Sequence, residues 1–479
     1  MLKAVILIGG PQKGTRFRPL SLDTPKPLFP IAGYPLIQHH IEACVKLEEC
    51  KEILIIGSYT TSHMLQFVTD MQKEYHVIIR YLQEFAPLGT GGGLYHFRDQ
   101  IRAGNPNAFF LLNGDVCADF PLKELWNFHM ERPNALVTIM GTEATRQQSI
   151  HYGCMVREGI TKSVTHYVEK PNTYVSTLIN CGVYVCSLNV FQTMAAAFMK
   201  KQEGFYSGNG QSSPDYMSWE QDVLAPLAGT NKLYAMHVGV INVLSFSPRS
   251  KISQTIVNNA TKDRPIQRFY STHNLEQNEE CIWVKLVKQR LLNLYLTDRL
   301  ASFQVTNWWS QVKTAGSAIY ANRHYLELNR HRNTTQPECQ ILGDVFLHPT
   351  SSVDPTAVIG PNVSIGAGVS VRAGVRIKES IILNDAVVFE HALVMYSVVG
   401  QEAQVGEWSR VEGTPSDPDP NKPFAKMDNT PLFNADGRLN PSITILGAGV
   451  IVPAETILLN TIVLPHKHLT RSFKHEIIL

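Results

Sequence analysis

Residues 4–20 read AVILIGGPQKGTRFRPL, and Pro25-Lys26-Pro27-Leu28 follows shortly after. The apolar run Ala4–Ile8 is typical of a buried strand, and it leads directly into a glycine-rich loop. Such a loop lets backbone N–H groups approach phosphates, and Arg16 and Lys26 add the positive charge that a triphosphate requires. The stretch therefore predicts a phosphate-binding loop after the first strand of an α/β domain.

Two common phosphate-binding patterns do not fit this loop. Gly9 and Gly14 have the glycine spacing of a P-loop, but Thr15-Arg16 replaces its Lys-Ser/Thr pair. The dinucleotide fingerprint GxGxxG is absent from the loop as well. An ATPase of the P-loop class is therefore not favoured.

The first 238 residues alternate short β-rich runs with longer mixed segments, which predicts a Rossmann-like domain with a mostly parallel mixed sheet. The predicted strands are Ala4–Ile8, Glu52–Ile56, Val77–Tyr81, Ala108–Leu112, Ala135–Met140 and Cys181–Val185.

From residue 341 onward an aliphatic residue recurs at every sixth position. The first series is Ile341, Leu347, Val353, Ile359, Ile365, Val371, Ile377 and Leu383, and it resumes at Val399, Val405, Val411, Ile445, Ile451, Ile457, Val463 and Leu469. A hexapeptide repeat predicts a left-handed parallel β-helix over residues 341–479. Such a β-helix is usually a scaffold, and the alternative, an acyltransferase site on its coils, is less favoured because the motifs that carry chemistry lie in the other domain.

Two segments interrupt this plan. Residues 413–442 are rich in Pro, Asp and Asn, which predicts a projecting loop that does not pack, and either a function or an inert insertion fits it equally well. Residues 239–305 form an atypical insert without a motif, in which Trp283–Leu294 has the apolar spacing of an amphipathic helix.

The composition of the 479 residues limits the choice of function. Lysine plus arginine number 43 against 41 aspartates and glutamates, so we expect neither nucleic acid nor a membrane as partner. No apolar stretch is long enough to cross a bilayer, and the first apolar run is too short for a signal peptide, so we expect a cytoplasmic location. The eight cysteines contain no CxxC pair, which favours reduced, buried thiols.

The glycine loop and Pro25-Lys26-Pro27-Leu28 resemble the signature of the sugar nucleotide pyrophosphorylases. This resemblance implies a nucleotidyltransferase domain over residues 1–238 and 306–330. It implies that Glu84 accepts hydrogen bonds from guanine and that Leu88–Gly93 faces the base. The implied nucleotide-binding residues are Gly9, Gly10, Gly14, Thr15, Glu84, Gly89, Thr90 and Gly91.

Further motifs follow in the family's order. Asp115, at the end of an apolar strand, resembles the metal-binding aspartate, and Gly153, Glu169 and Asn180 lie in motifs that resemble the sugar-binding ones. Lys170 would contact the sugar phosphate. The resemblance implies that Arg16, Lys26 and Lys170 neutralise charge while a sugar 1-phosphate attacks the α-phosphate of a nucleoside triphosphate.

The chain departs from an active enzyme of this family in two places. Its glycine loop is two residues longer and contains Pro11, which has no N–H to donate. The family's W-x-D-[IV]-G motif, which holds a second metal carboxylate, reads Trp309-Ser310-Gln311-Val312-Lys313 here. An amide is a weaker ligand than a carboxylate, so we expect Mg²⁺ to be held weakly if at all and catalysis to be feeble or absent.

These features resemble the alpha-type members of the mannose-1-phosphate guanylyltransferase family. The resemblance implies binding of GDP-mannose or GTP, a homo- or hetero-oligomer, and feedback restraint of an active beta-type subunit through the loop 413–442. The alternatives are an active guanylyltransferase and a scaffold with a vestigial pocket. Because Leu233–Val238 and Trp308–Val312 are nearly continuous in this family and belong to one sheet region, we interpret residues 239–305 as a retained intron or gene-model artefact.

Overall fold

A computed structural model of the chain describes residues 1–12, 14–206, 215–238, 308–332, 338–428 and 431–479. These residues belong to one compact unit, Met1–Val238 together with Trp308–Leu479. The atypical insert 239–305, with the helix expected at Trp283–Leu294, lies outside the described residues, and its origin stays a hypothesis.

The N-terminal domain is built on a nine-stranded mixed sheet. The strands of this domain are β1 (Leu2–Gly9), β2 (Pro30–Ile31), β3 (Tyr34–Pro35), β4 (Cys50–Gly57), β5 (Ile78–Gln83), β6 (Ala108–Asn113), β7 (Val116–Ala118), β8 (Val137–Glu143), β9 (Gly153–Arg157), β10 (Val164–Glu169), β11 (Leu178–Ser187), β12 (Leu233–His237) and β13 (Trp309–Gln311). The large sheet has the order β10-β9-β11-β6-β1-β4-β5, and β8 pairs with β11 and β12. Strands β6, β1, β4 and β5 are parallel, whereas β11 is antiparallel to β6.

Each predicted strand falls on an observed one, with ends that differ by up to three residues. The prediction works because the central strands are buried on both faces. Along β1, Ala4 and Ile6 point into one apolar core and Val5 into the other, as the two-residue period of a strand requires. The predicted α/β fold is confirmed.

Helices cover both faces of this sheet. They are α1 (Leu36–Val45), α2 (Thr61–Tyr75), α3 (Gly89–His96), α4 (Arg98–Arg102), α5 (Leu122–Met130), α6 (Arg146–Ser149), α7 (Val190–Tyr206), α8 (Ala225–Leu227) and α9 (Ala315–Leu328), with short helical turns at Thr15–Phe17, Lys26–Leu28, Trp219–Leu224 and Arg330–Arg332. Apolar residues of α1, α2 and α5 belong to one core, and those of α3, α4 and α7 to the other.

The strands on either side of the atypical insert do not share a sheet, contrary to expectation. Strand β12 is parallel to β8 in the large sheet. Strand β13 instead pairs with β7 in a separate two-stranded sheet. This pairing brings residues 309–311 next to the end of β6, because β7 follows β6 after a two-residue turn.

Residues 340–478 form a parallel β-helix, which confirms the architecture predicted from the repeat. Its strands are β14 (Gln340–Ile341), β15 (Val345–Leu347), β16 (Ser352–Val353), β17 (Val358–Ile359), β18 (Val363–Ile365), β19 (Ser370–Val371), β20 (Arg376–Lys378), β21 (Ile381–Ile382), β22 (Val387–Val388), β23 (Leu393–Met395), β24 (Ser397–Val399), β25 (Gln404–Val405), β26 (Arg410–Glu412), β27 (Thr444–Leu446), β28 (Ile451–Val452), β29 (Ile457–Leu459), β30 (Ile462–Val463), β31 (Phe473–Lys474) and β32 (Ile477–Ile478). Every third strand up to β30 stacks in parallel to give three sheets, and β31 and β32 then pair with β29 and β30.

The predicted six-residue register is wrong in part of the β-helix. Ile365 pairs with Ile382, not with Leu383, so one side of this coil is a residue shorter and the phase shifts. After the loop, the core positions are Leu446, Val452 and Leu458, one residue beyond the predicted Ile445, Ile451 and Ile457. The sequence does not reveal the shift, because the predicted core residue and the observed one are adjacent and both aliphatic in each case.

Aliphatic residues next to the core positions of the β-helix pack against the N-terminal domain. Ile381, Leu383, Ile445 and Ile462 lie outside the β-helix core and pack with residues of α9 and with Phe29 and Ile31 of the N-terminal domain. A polar link crosses the same contact, because Oδ1 of Asn322 in α9 accepts hydrogen bonds from Ala32 N and Ser364 Oγ, at 2.8 and 2.6 Å. The β-helix and the N-terminal domain therefore share an apolar interface.

The loop 413–442 leaves the β-helix between β26 and β27, and part of it packs, contrary to expectation. Lys426 N donates to Gln148 Oε1 at 2.8 Å, and Gln148 Nε2 donates to Lys426 O at 2.7 Å and also to the Asp428 carboxylate. Arg323 in α9 forms an ion pair with Asp417 at 3.0 Å. The docking contacts are polar, so a composition poor in apolar residues does not prevent them.

The seven cysteines that the structure describes are free and buried, as predicted, and Cys281 lies outside the described residues. Across the described ranges, no helix has both the length and the apolar character needed to span a bilayer.

Candidate functional site

A cleft of about 540 Å³ lies at the carboxyl edge of the parallel strands β1 and β6. In open α/β sheets this edge is where ligands bind, and the volume suits a nucleotide-sized ligand. The cleft brings together predicted residues from separate motifs: Gly9, Gly10, Gly14, Arg16, Lys26, Thr90, Asp115, Gly153, Glu169, Lys170 and Asn180. Four other predicted residues lie outside its lining, namely Thr15, Glu84, Gly89 and Gly91.

The glycine loop after β1 carries Arg16 to the wall of the cleft. Gly14 has φ +78°, a left-handed conformation that favours glycine, and it directly precedes the helical turn Thr15–Phe17. Pro11 and Gln12 form an exposed turn before it. Because Pro11 has no N–H, the lengthened part of the loop offers one donor fewer to a phosphate.

Asp115 is held by groups that donate to it. The pairing of β13 with β7 sets Gln311 opposite Val116, and Val312 N donates to Asp115 O at 2.8 Å. The Gln311 side chain consequently faces the carboxylate, and its Nε2 lies 3.1 and 3.0 Å from the two carboxylate oxygens. Lys26 Nζ lies 3.6 Å from Asp115 Oδ2.

Lys313 adds a further cation to the same wall. Burial lowers its pKa to about 8; the negative charge of Asp115 acts in the opposite direction, and the positive charges of Arg16, Lys170 and Lys26 lower the pKa further. Its Nζ lies 4.9 Å from the centroid of the Tyr152 ring.

The side chains around Asp115 do not fit a magnesium site with two carboxylates. Mg²⁺ binds oxygen ligands in octahedral geometry, usually one or two carboxylates and several waters. Here an amide N–H₂ group faces both oxygens of Asp115, and the ammonium groups of Lys26 and Lys313 lie nearby. In the part of the chain that the structure describes, there is no group of three or more His, Cys, Asp or Glu residues suited to a metal.

The motifs predicted to bind sugar meet in one hydrogen-bond network. Asn180 Nδ2 donates to the hydroxyls of Tyr167 and Tyr184, at 3.0 and 2.8 Å, and Tyr167 donates to Glu169 Oε2 at 2.9 Å. Lys170 Nζ lies 3.2 Å from Glu169 Oε1. The network fixes the Glu169 carboxylate at the cleft wall, where its remaining acceptor capacity suits a sugar hydroxyl.

The glycines of Leu88–Gly93 pack within the protein. Gly91 N and Gly92 N both donate to Met217 O, at 2.9 and 3.1 Å. A Cβ atom on Gly91 would lie 3.1 Å from Trp219 N, which is tighter than most such contacts. Of the residues in Leu88–Gly93, Thr90 lines the cleft.

Glu84 lies beside helix α3, outside the lining of the cleft. A Cβ atom on Gly93 would lie 1.9 Å from Glu84 Oε1, so this glycine leaves the space that the carboxylate occupies. The contact between Glu84 and guanine stays a prediction.

Glu220 is a partly buried acid of the cleft that the sequence analysis missed. It accepts hydrogen bonds from Thr90 Oγ1 at 2.9 Å and from Ser218 Oγ at 3.1 Å. Burial raises its pKa, and the charge of Glu169 adds to the rise. The pattern Ser218-x-x-Gln221 resembles a helix start, and Gln221 N does donate to Ser218 Oγ, but this signal does not reveal which way Glu220 points.

Comparison with known proteins identifies the family. A nucleotidyl transferase model matches residues 3–227, and a model described as the GMPPB C-terminal domain matches residues 341–478. The chain is 56% identical to the mannose-1-phosphate guanylyltransferase regulatory subunit alpha of Drosophila melanogaster, over the full length of both. It belongs to this family of alpha subunits. It is also 47% identical to the alpha-A subunit of Danio rerio and 47% identical to the alpha subunit of Sus scrofa, again over both full lengths.

Membership in the alpha family confirms the resemblance drawn from the sequence. Both the N-terminal motifs and the β-helix fall within the matched regions. Gln311 and the lengthened glycine loop agree with the word "regulatory" in the relatives' names.

Proposed function

We propose that this chain is a regulatory subunit in GDP-mannose synthesis, which binds GDP-mannose in the cleft and restrains a catalytic beta-type subunit. The observation that carries the proposal is the pair of hydrogen bonds from Gln311 Nε2 to Asp115. The names of the full-length relatives support the regulatory role. The free, buried cysteines of the described residues suit a cytoplasmic location, and the near balance of charges argues against nucleic acid or membrane partners.

The chemistry of the family explains why such a cleft would bind and not react. A sugar 1-phosphate oxygen attacks the α-phosphorus of GTP while the bond to pyrophosphate breaks, and catalysis rests on positioning and on neutralising charge. Arg16, Lys26 and Lys170 are present for positioning. Losing one charged metal ligand costs on the order of 10³-fold in rate if the reaction depends on that metal, so Mg²⁺ would be held weakly and turnover would be slow or absent.

The loop 413–442 supports the proposed contact with a partner. Phe424, Leu432 and Phe433 are each about half exposed on it. Aromatic and large aliphatic side chains are enriched in the cores of protein interfaces. The docked part at Lys426 fixes one portion of the loop, and these exposed residues are free to meet a beta-type subunit in a hetero-oligomer.

Calorimetric titration of the purified chain with GDP-mannose, alongside a pyrophosphate-release assay with GTP and mannose 1-phosphate, tests the proposal. We expect saturable binding with negligible turnover. Adding the chain to a beta-type subunit should make that subunit more sensitive to GDP-mannose, whereas a variant in which Phe424, Leu432 and Phe433 are serine should not. Turnover by the chain alone at the rate of the beta-type subunit would overturn the proposal, and no binding would favour the scaffold alternative.

A further inference from the structure

Four cationic side chains line the cleft among the described residues: Arg16, Lys26, Lys170 and Lys313. The carboxylates that line it are Asp115, Glu169 and Glu220. Lys170 is paired with Glu169 at 3.2 Å, and Lys26 lies 3.6 Å from Asp115. Arg16 and Lys313 belong to neither of these ion pairs, and nor does Glu220, so four cationic side chains face three carboxylates in the lining.

The position at which the family would hold a metal ion is filled by protein donors. Gln311 Nε2 lies 3.0 Å from one Asp115 oxygen and 3.1 Å from the other, so both have a partner. A divalent cation that bound Asp115 would have to replace these hydrogen bonds. It would also lie close to the Lys26 ammonium, and like charges repel strongly where water is partly excluded.

Lys313 is positioned by the start of helix α9. Its backbone N donates to Ser317 Oγ at 2.9 Å, and Ser317 forms a capping box with Thr314 at the helix N-terminus. The Nζ atom lies beside the Tyr152 ring, which itself lines the cleft. The backbone of Lys313 is therefore fixed by the capped start of helix α9, which places its ammonium group at the cleft.

We propose that Lys313 and Lys26 take the place of the divalent cation, so that the cleft binds the diphosphate of a nucleotide sugar without metal. This inference rests on the proposed function, because it assumes that a nucleotide sugar is the ligand. The ammonium groups neutralise the diphosphate directly through charge-assisted hydrogen bonds, as lysine does at many phosphate sites. Asp115 then serves to hold Lys26 and Gln311 in place.

Calorimetric titration with GDP-mannose, in excess EDTA and again with excess Mg²⁺, tests this inference on the full chain. We expect the dissociation constant to agree within about twofold between the two conditions. Lys313→Gln should weaken binding by roughly tenfold or more, the usual effect of losing one charge-assisted hydrogen bond. Lys123→Gln on α5 removes the same charge at an exposed site and should leave the affinity unchanged.

The outcomes separate this inference from the proposed function. Binding that disappears in EDTA and returns with Mg²⁺ would overturn the inference and leave GDP-mannose binding intact. Absence of binding under both conditions would overturn the proposed function. Gln311→Asp provides a second test, since a restored carboxylate should make Mg²⁺ strengthen binding; if Lys313→Gln binds as tightly as the unaltered chain, Lys313 does not have this role.

Discussion

The surroundings of Asp115 suit hydrogen-bond donors better than a metal ion. The Gln311 amide donates to both of its oxygens, and Lys26 lies within 4 Å. Glutamine in place of the motif's aspartate replaces a ligand for a cation with an amide that donates to an anion. The proposed function requires that binding and catalysis be separable at this one position.

We expect Gln311→Asp alone to leave turnover low. The substitution restores a metal carboxylate, but Pro11-Gln12 still lengthens the phosphate loop and withholds a donor. Deleting both residues in the Gln311→Asp background should raise pyrophosphate release by about tenfold or more over the single variant, the effect of about 1.4 kcal/mol on a barrier. Gln147→Asp, at an exposed site, is the matched control, and strong turnover from Gln311→Asp alone would show that the loop does not matter.

Several site residues could be predicted because their motifs are local. Asp115 ends an apolar strand and Gln311 stands in a recognisable motif, so both were found from the sequence. Glu220 was missed because its place in the cleft depends on the packing of Trp219 and on Thr90, about 130 residues earlier. The packing of Gly91 against Met217 could not be predicted for the same reason.

The sequence predicts that the β-helix strands exist, but it does not predict which residues of each strand face the core. A repeat shows that coils stack, but a one-residue shortening is invisible when two adjacent aliphatic residues can each face the core. In β29, Ile457 is 40% exposed and Leu458 is fully buried.

This register can be tested with two neighbouring substitutions. Leu458→Ala should lower the free energy of unfolding by about 2–5 kcal/mol, as truncating a core leucine does. Ile457→Ala should cost less than about 1 kcal/mol, because the side chain is partly exposed. Urea denaturation followed by fluorescence measures both, and the reverse ranking would restore the six-residue register.

Gln148 is expected to hold the docked part of the loop 413–442. Gln148→Ala removes its hydrogen bonds to Lys426 and Asp428, each worth about 1 kcal/mol, so local opening should become roughly tenfold or more frequent. Limited proteolysis should then cut the loop faster. Gln147→Ala, one residue away and exposed, should leave the cleavage rate unchanged, and equal rates for both variants would show that the loop is held elsewhere.

For the molecule as a whole, stability should depend on pH through buried histidines such as His129. Its ring nitrogens lie 2.8 Å from Thr138 Oγ1 and 3.1 Å from Ser187 Oγ, and burial lowers its pKa to about 4. The unfolded chain, with a histidine pKa near 6.5, binds the proton more readily. Stability from this group is therefore complete above about pH 6.5 and is lost as the pH falls toward 4.

At pH 5 the loss from His129 should be about 2 kcal/mol. Free energies of unfolding measured between pH 7 and 5 should fall more steeply for the unaltered chain than for His129→Gln. His166→Gln, at an exposed site, should keep the steep dependence. Parallel curves for the unaltered chain and His129→Gln would show that the ring is protonated in the folded protein.

The β-helix and the N-terminal domain were predicted as separate domains, but their contact was not. The apolar side chains that join them, such as Leu383 and Ile445, look like core residues of the repeat. The repeat pattern assigns each aliphatic residue to the core of the β-helix, whereas Leu383 and Ile445 belong to the interface between the β-helix and the N-terminal domain. The shared interface makes the two parts one compact unit.

The chain leaves and re-enters the β-helix at adjacent points, since Thr414 N donates to Ser442 O at 3.0 Å. The stacking of the coils before and after the loop therefore does not depend on the length of the loop. A loop of another length or sequence could be inserted between these two residues without a change in the β-helix, and a foreign peptide could be grafted there.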